Sequence, residues 1–199
     1  MARPAPTTSP ACETAGEQRI ILGNVSWEQY ETVRATLDHI PGLRMTYLEG
    51  VLEIMSPSLE HEGIKKSLAR LLEIYALEKG IELNGYGSST FRKRARERGL
   101  EPDECYCVGV IKEVPDIAIE VIVWSGGIDR LEVYRGLEVP EVWFWEDGRL
   151  TLHQLEGDRY RPAARSRLLP ALDLEQLLAF VRPDAQTEAV RAYREALGR

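Results

Sequence analysis

Pro102-Asp103-Glu104-Cys105-Tyr106-Cys107-Val108 and Pro115-Asp116-Ile117-Ala118-Ile119-Glu120-Val121-Ile122-Val123 are the two stretches on which the reading of this chain turns. Each opens on a Pro-Asp pair and continues as an apolar run of strand length, the second rich in β-branched residues. If the segment between them folds back as an antiparallel hairpin, a turn centred near Ile111 and Lys112 puts Asp103 directly opposite Glu120. Opposed residues stand about 4.5–5.5 Å apart at Cβ, near enough for one divalent ion to take an oxygen from each at about 2.1 Å. Glu120 also interrupts a run that otherwise reads as a buried strand. A carboxylate there is desolvated at a cost unless it is paired, hydrogen-bonded or metal-bound; the alternative is an edge strand with Glu120 facing water. Asp116 shares the face of Glu120 but lies roughly 13 Å away along the strand. That position suits a cap or turn residue as well as the entrance of a site.

Outward from this pair, Ser26 precedes a helix over Trp27–Ile40, with Tyr30, Val33 and Leu37 at spacings of three and four. Alternating runs at Arg44–Leu48 and Val51–Met55 flank Glu49-Gly50, a two-residue hairpin turn. Ser56-Pro57-Ser58 starts the longest helix, Leu59–Lys79, whose stripe of Ile64, Leu68, Leu71, Leu72 and Tyr75 marks its inward face. The same phase turns His61 inward and leaves Glu62 to one side. A lone inward histidine suits a satisfied structural residue as well as a site residue.

Further strands are expected at Ile81–Tyr86, Ser89–Arg92, Glu104–Gly109, Ile117–Trp124, Glu141–Trp145 and Arg149–Leu155. Helices are expected at Ile128–Gly136, Leu174–Val181 and Thr187–Leu197. This order is neither regular βαβ alternation nor all-β. It predicts an α/β chain of the α+β kind, a mixed sheet flanked by helices.

The 199 residues fit one domain. Residues 1–18, rich in Pro, Ala and Thr, read as a disordered leader, and 19–199 as a single domain with C-terminal helices. No apolar run approaches the ~18 residues that cross a bilayer. Cys12, Cys105 and Cys107 match neither a disulfide framework nor a zinc spacing, and read as buried free thiols of a reducing cytoplasm.

A net charge of −7 argues against a protein that coats nucleic acid non-specifically. Yet Phe91–Gly99, FRKRARERG, holds five basic residues against one acid. Arg92, Lys93, Arg94 and Arg96 are therefore candidate nucleic-acid contacts, with a solvated hairpin end as the alternative. No phosphate-cradling glycine motif and no Gly-x-Ser-x-Gly elbow occurs.

Two carboxylates with a divalent metal polarise a phosphate and activate water near neutral pH. A neighbouring cation would stabilise the developing charge. Arg130 and Lys65 are the candidates, although the flank position of Lys65 also reads as solvated.

Five segments together resemble the Uma-type family of proposed restriction endonucleases, a branch of the PD-(D/E)XK nuclease superfamily. They are Leu48-Glu49-Gly50 with Leu52–Ser58, His61-Glu62, Gly99–Tyr106, Pro115–Val121 and Val139-Pro140-Glu141-Val142-Trp143, and the likeness covers about residues 20 to 182. The resemblance implies a restriction-endonuclease-like core and a homodimer that acts on DNA. It also implies Mg²⁺ or Mn²⁺ held by Asp103 and Glu120, with Glu62 as an auxiliary acid and water attacking a phosphodiester.

One departure stands out. The superfamily's lysine, two residues after the second acid, is Ile122 here, and the family's displaced lysine on the following helix is Arg130. Arginine keeps the charge and can clamp a phosphate, but it cannot act as a general base near neutral pH. The expected function is a metal-dependent DNA endonuclease. The alternative is a catalytically degenerate nuclease fold serving as a nucleic-acid-binding or protein-interaction module.

Overall fold

The structure is a computed structural model that describes residues 16–123 and 126–198. Its elements run β1 (Gln18–Leu22), α1 (Trp27–Leu37), β2 (Arg44–Leu48), β3 (Val51–Ser56), α2 (Leu59–Lys79), β4 (Leu83–Gly85) and β5 (Phe91–Lys93). After a 3-10 turn at Arg94–Arg96 they continue as β6 (Arg98–Leu100), β7 (Glu104–Val108), β8 (Ile117–Ile122), α3 (Arg130–Leu137), β9 (Glu141–Glu146), β10 (Arg149–Glu156), β11 (Arg159–Ala163), α4 (Leu174–Leu178) and α5 (Gln186–Leu197).

The strands divide between two sheets. One is five-stranded in the order β1-β3-β2-β6-β5, and the other six-stranded in the order β11-β10-β9-β8-β7-β4. The first is antiparallel throughout. The second is the expected mixed sheet, parallel where β8 meets β9 and antiparallel elsewhere. Helices flank both, so the chain is α+β with a restriction-endonuclease-like mixed sheet at its centre.

Local chemistry sets the element ends. Ser26 caps α1 in a reciprocal capping box with Gln29. Ser58 caps α2 through the His61 N–H, and Gly80 closes it in the left-handed conformation at φ 65°. Glu49 and Gly50 both take positive φ between β2 and β3, the geometry a two-residue hairpin demands. Residues 1–15, and with them Cys12 and most of the expected leader, lie outside the described residues, as do Trp124 and Ser125. Gln18, the last leader residue of the sequence reading, is the first residue of β1.

Each face of β8 meets a different layer. Ile117, Ile119 and Val121 pack with Ile64, Leu68 and Tyr75 of α2, joined by Leu177 of α4 and Tyr193 of α5. Ala118 points the other way, into a cluster with Val133, Tyr134 and Leu137 of α3, Leu100 of β6 and Val142 of β9. By alternation Glu120 belongs to this second face, under α3. A third cluster, with Tyr30, Met45, Tyr47 and Leu52, seats α1 on the five-stranded sheet. Glu53, next to Leu52, therefore projects from the sheet face that α1 does not cover. Cys105 and Cys107 are buried free thiols, and burial pushes the Cys105 thiol up to about 12. Among the described residues no helix is long and apolar enough to cross a membrane.

The β7–β8 hairpin is pinned by Asp116. Its carboxylate accepts the Val108 N–H at 2.8 Å and pairs with Lys112 Nζ at 2.7 Å, while its own N–H donates to the Tyr106 carbonyl. Of the two sequence readings of Asp116, the structure carries the turn role. Asp116→Ala leaves the Val108 N–H without its partner and is expected to cost about 1–2 kcal/mol of stability in urea unfolding. An unchanged midpoint would contradict the pinning role.

Candidate active centre

The register of the central hairpin brings the acids together. Glu104 faces Ile119, Cys105 faces Ala118 and Tyr106 faces Ile117, so continuation by one residue sets Asp103 opposite Glu120. Both are buried, at 1% and 0% exposure. β8 lies inside the sheet between β7 and β9, which excludes the edge-strand alternative.

Asp103 Oδ2 accepts the Val121 N–H at 2.8 Å and lies 3.1 Å from Nε2 of the fully buried His61. Burial alone would raise the Asp103 carboxyl, but the hydrogen bond and charge of His61, the charge of Arg130 and the Val121 N–H outweigh it, and the net direction is down. For His61 burial works against the charged ring, and the Asp103 carboxylate overcomes it, raising the imidazole. The two side chains meet at the start of α2, and each shifts the other toward its charged form.

Glu120 has different surroundings. α3 presents Arg130 and Tyr134, four residues apart on one helix face. Tyr134 donates its hydroxyl to Glu120 Oε1, and Arg130 donates Nη1 to Oε2. Burial nevertheless dominates, and with the added repulsion of Asp103 it pushes the Glu120 carboxyl up to about 7 against the pull of Arg130 and Tyr134. Glu120 therefore exchanges its proton near neutral pH, beside an Asp103 that stays ionised. Among its acidic neighbours Arg130 is held firmly in the charged form.

Arg130 also reaches a carboxylate that the sequence reading passed over. Its Nη2 stands 3.3 Å from Glu53 Oε1. Glu53 comes from β3 of the other sheet, is 1% exposed, takes the Ile128 N–H at 3.2 Å and pairs with Arg19 at 3.3 Å. Gly127 is required here, because with φ at 101° an added Cβ would fall 2.1 Å from Glu53 Oε2. The signal available in the sequence was a charge among Val51, Leu52, Ile54 and Met55, the same kind of interruption that marks Glu120.

Glu62 lies apart from this cluster. Its carboxylate is 39% exposed, holds Lys65 at 2.5 Å and Arg44 at 3.8 Å, and touches the centre only through His61 Nδ1 at 4.0 Å. Lys65 is buried against Glu62, which corrects its reading as a solvated flank residue. Glu141 shows what a purely structural buried acid looks like in this fold. It accepts Trp143 Nε1 at 3.0 Å, Gln154 Nε2 at 3.1 Å, Ser166 Oγ at 2.7 Å and the Arg167 N–H at 2.7 Å.

The basic stretch forms edge strand β5 and the turn after it. Arg92 pairs with Glu31 at 2.5 Å, Lys93 with Glu138 at 2.7 Å and Arg94 with Glu28 at 2.7 Å, all at exposed or half-buried positions. Arg96 is exposed, and Arg98 is buried with its guanidinium on Glu49 and the Glu132 carbonyl. Beside the acidic cluster a cleft of 370 Å³ opens, lined by Arg19, Asp129, Arg130, Phe144, Thr151 and His153 among others.

Two facing carboxylates suit Mg²⁺ or Mn²⁺, since small hard cations are usually held by one or two protein carboxylates and otherwise by water and substrate oxygens. Among the described residues no group of three or more His, Cys, Asp or Glu side chains is arranged to hold a metal ion. A family model named Uma2, described as "Putative restriction endonuclease", matches residues 27–185. No curated protein matches the chain.

Proposed function

The chain belongs to the Uma2 family, and from that membership we propose that it is a metal-dependent DNA endonuclease hydrolysing phosphodiester bonds at the Asp103–Glu120 pair. The observation that supports this reading is the β7–β8 register, whose continuation by one residue brings buried Asp103 opposite buried Glu120, with Arg130 against the latter. Restriction-endonuclease-like proteins generally use divalent metals, and Asp103 and Glu120 are the residues that would hold Mg²⁺ or Mn²⁺ here. A cation bound there supplies Lewis-acid polarisation of the phosphodiester and a lowered pKa for water.

The remaining roles belong to side chains. His61 and the Val121 N–H hold Asp103 ionised and aimed. Tyr134 fixes the Glu120 carboxylate through the oxygen that Arg130 does not hold. Arg130 and Arg19 put two guanidiniums at the 370 Å³ cleft, where a phosphate needs them. Glu62 acts as an auxiliary acid at one remove, through His61. Arg92, Lys93, Arg94 and Arg96 contact the DNA backbone, exchanging weak exposed ion pairs for phosphates. A homodimer is supported by edge strand β1, where Ile20, Ile21 and Leu22 are exposed in succession, and a cytoplasmic location by the buried free thiols.

A second reading, a catalytically degenerate nuclease fold that binds nucleic acid or protein, is favoured by one observation. Arg130 already pairs with Glu120 and Glu53 together. Supercoiled DNA separates the two. Wild type with Mg²⁺ or Mn²⁺ is expected to nick it, and Asp103→Ala to lose at least 99% of that rate. Binding of the DNA without nicking by wild type would favour the degenerate reading.

A further inference from the structure

Glu120 and Glu53 belong to different sheets, yet a single guanidinium joins them. Its side chain is only 11% exposed. A divalent ion on Glu120 would sit about 2.1 Å from a carboxylate oxygen, on the same group that Arg130 grips. Two cations crowded on one buried carboxylate repel strongly, because little water screens them. Arginine cannot relieve the conflict by losing a proton.

We propose, resting on the metal reading above, that Arg130 is a tethered competitor of the divalent cation, so that metal affinity at Asp103–Glu120 is set by the hold of Arg130 on Glu120. Glu53 is the positioning residue of this device. It keeps one arm of Arg130 when the other leaves Glu120, and through the Ile128 N–H it fixes the approach to α3 from which Arg130 projects. Arginine suits this task where lysine would not. Its planar fork spans both acids at once, whereas an ammonium offers one point of charge. Arg130 also lines the cleft that Arg19 shares, so an arm freed from Glu120 has an anion-attracting surface to enter.

The test is Mn²⁺ titration followed by the paramagnetic resonance signal of the free ion. Arg130→Gln is expected to bind Mn²⁺ at least tenfold more tightly than wild type, and adding Asp103→Ala to it is expected to abolish the gain. Because Arg130→Gln leaves buried Glu120 without its base and Glu53 with Arg19 alone, Glu53→Gln/Arg130→Gln repeats the measurement with the charge balance kept, and the same tightening is expected.

Arg19→Gln removes the other guanidinium that pairs with Glu53, and is expected to change affinity less than threefold. Tightening by Arg19→Gln equal to that of Arg130→Gln would overturn direct competition. Equal affinity of wild type and both Arg130 variants would overturn the competition while leaving the metal reading standing. Absence of Mn²⁺ binding in every protein would overturn the metal reading, and the competition with it.

Discussion

Arg130→Ala is expected to lower the free energy of unfolding by about 3–5 kcal/mol at pH 8, one of the two largest effects expected of any single substitution at this centre. Alanine removes the base and leaves Glu120, fully buried, and Glu53, 1% exposed, without the guanidinium that joins them. Breaking a buried ion pair from one side costs more than the pair contributes, because the remaining charge loses its counter-ion where no water replaces it. The loss is expected to shrink at pH 5. There Glu120 holds its proton in the folded state, and a neutral acid is much cheaper to bury. Urea unfolding at the two pH values measures both figures. A loss below about 1 kcal/mol at pH 8, the range of exposed ion pairs, would mean that Arg130 is not the buried counter-ion described here.

Glu120→Gln is expected to change the pH profile of stability. Gln keeps the shape and an acceptor for Tyr134 but cannot ionise. In the folded protein burial holds the Glu120 carboxyl at about 7, against an ordinary 4.5 in the unfolded chain. Between those pH values the folded state keeps a proton that the unfolded state has lost. The unfolded state then binds fewer protons, and stability falls as pH rises. A displacement of that size corresponds to about 3 kcal/mol. Wild type should therefore lose about that much relative to Glu120→Gln as pH is raised from 4.5 to 7. Asp103 and His61, which shift in their own directions, are present in both proteins and so largely cancel in the difference. Parallel stability profiles would contradict a raised Glu120.

Much of the fold was legible because its signals are local. The cap at Ser58, the stripe from Ile64 to Tyr75 and Gly80 define α2 at Leu59–Lys79 as the sequence reading has it. Glu49-Gly50 fixes the β2–β3 hairpin, and the turn centred near Ile111 and Lys112 gives the β7–β8 register that faces Asp103 with Glu120. The helix phase also separates the fully buried His61 from the half-exposed Glu62.

What escaped depends on long-range pairing. β6 is three residues, Arg98–Leu100, too short for any period to register. β11, Arg159–Ala163, carries two arginines and a proline on an edge. β1 is an edge strand with exposed Ile20, Ile21 and Leu22, and nothing local distinguishes it from a tail. Without β1 and β6 the five-stranded sheet has no visible extent. Glu53 could not then be placed against Arg130, because that meeting exists only where the two sheets come together. The basic stretch was legible as charge, but its partners Glu28, Glu31 and Glu138 lie 45 to 66 residues away.

The central claim is that Asp103 and Glu120 form one divalent-metal centre, and anomalous diffraction from crystals equilibrated with Mn²⁺ tests it most directly. The expected result is a single manganese peak in coordinating contact with carboxylate oxygens of both residues, absent from crystals of Asp103→Ala. Manganese bound elsewhere, or no peak at either carboxylate at an Mn²⁺ concentration that saturates the protein in solution, would contradict it.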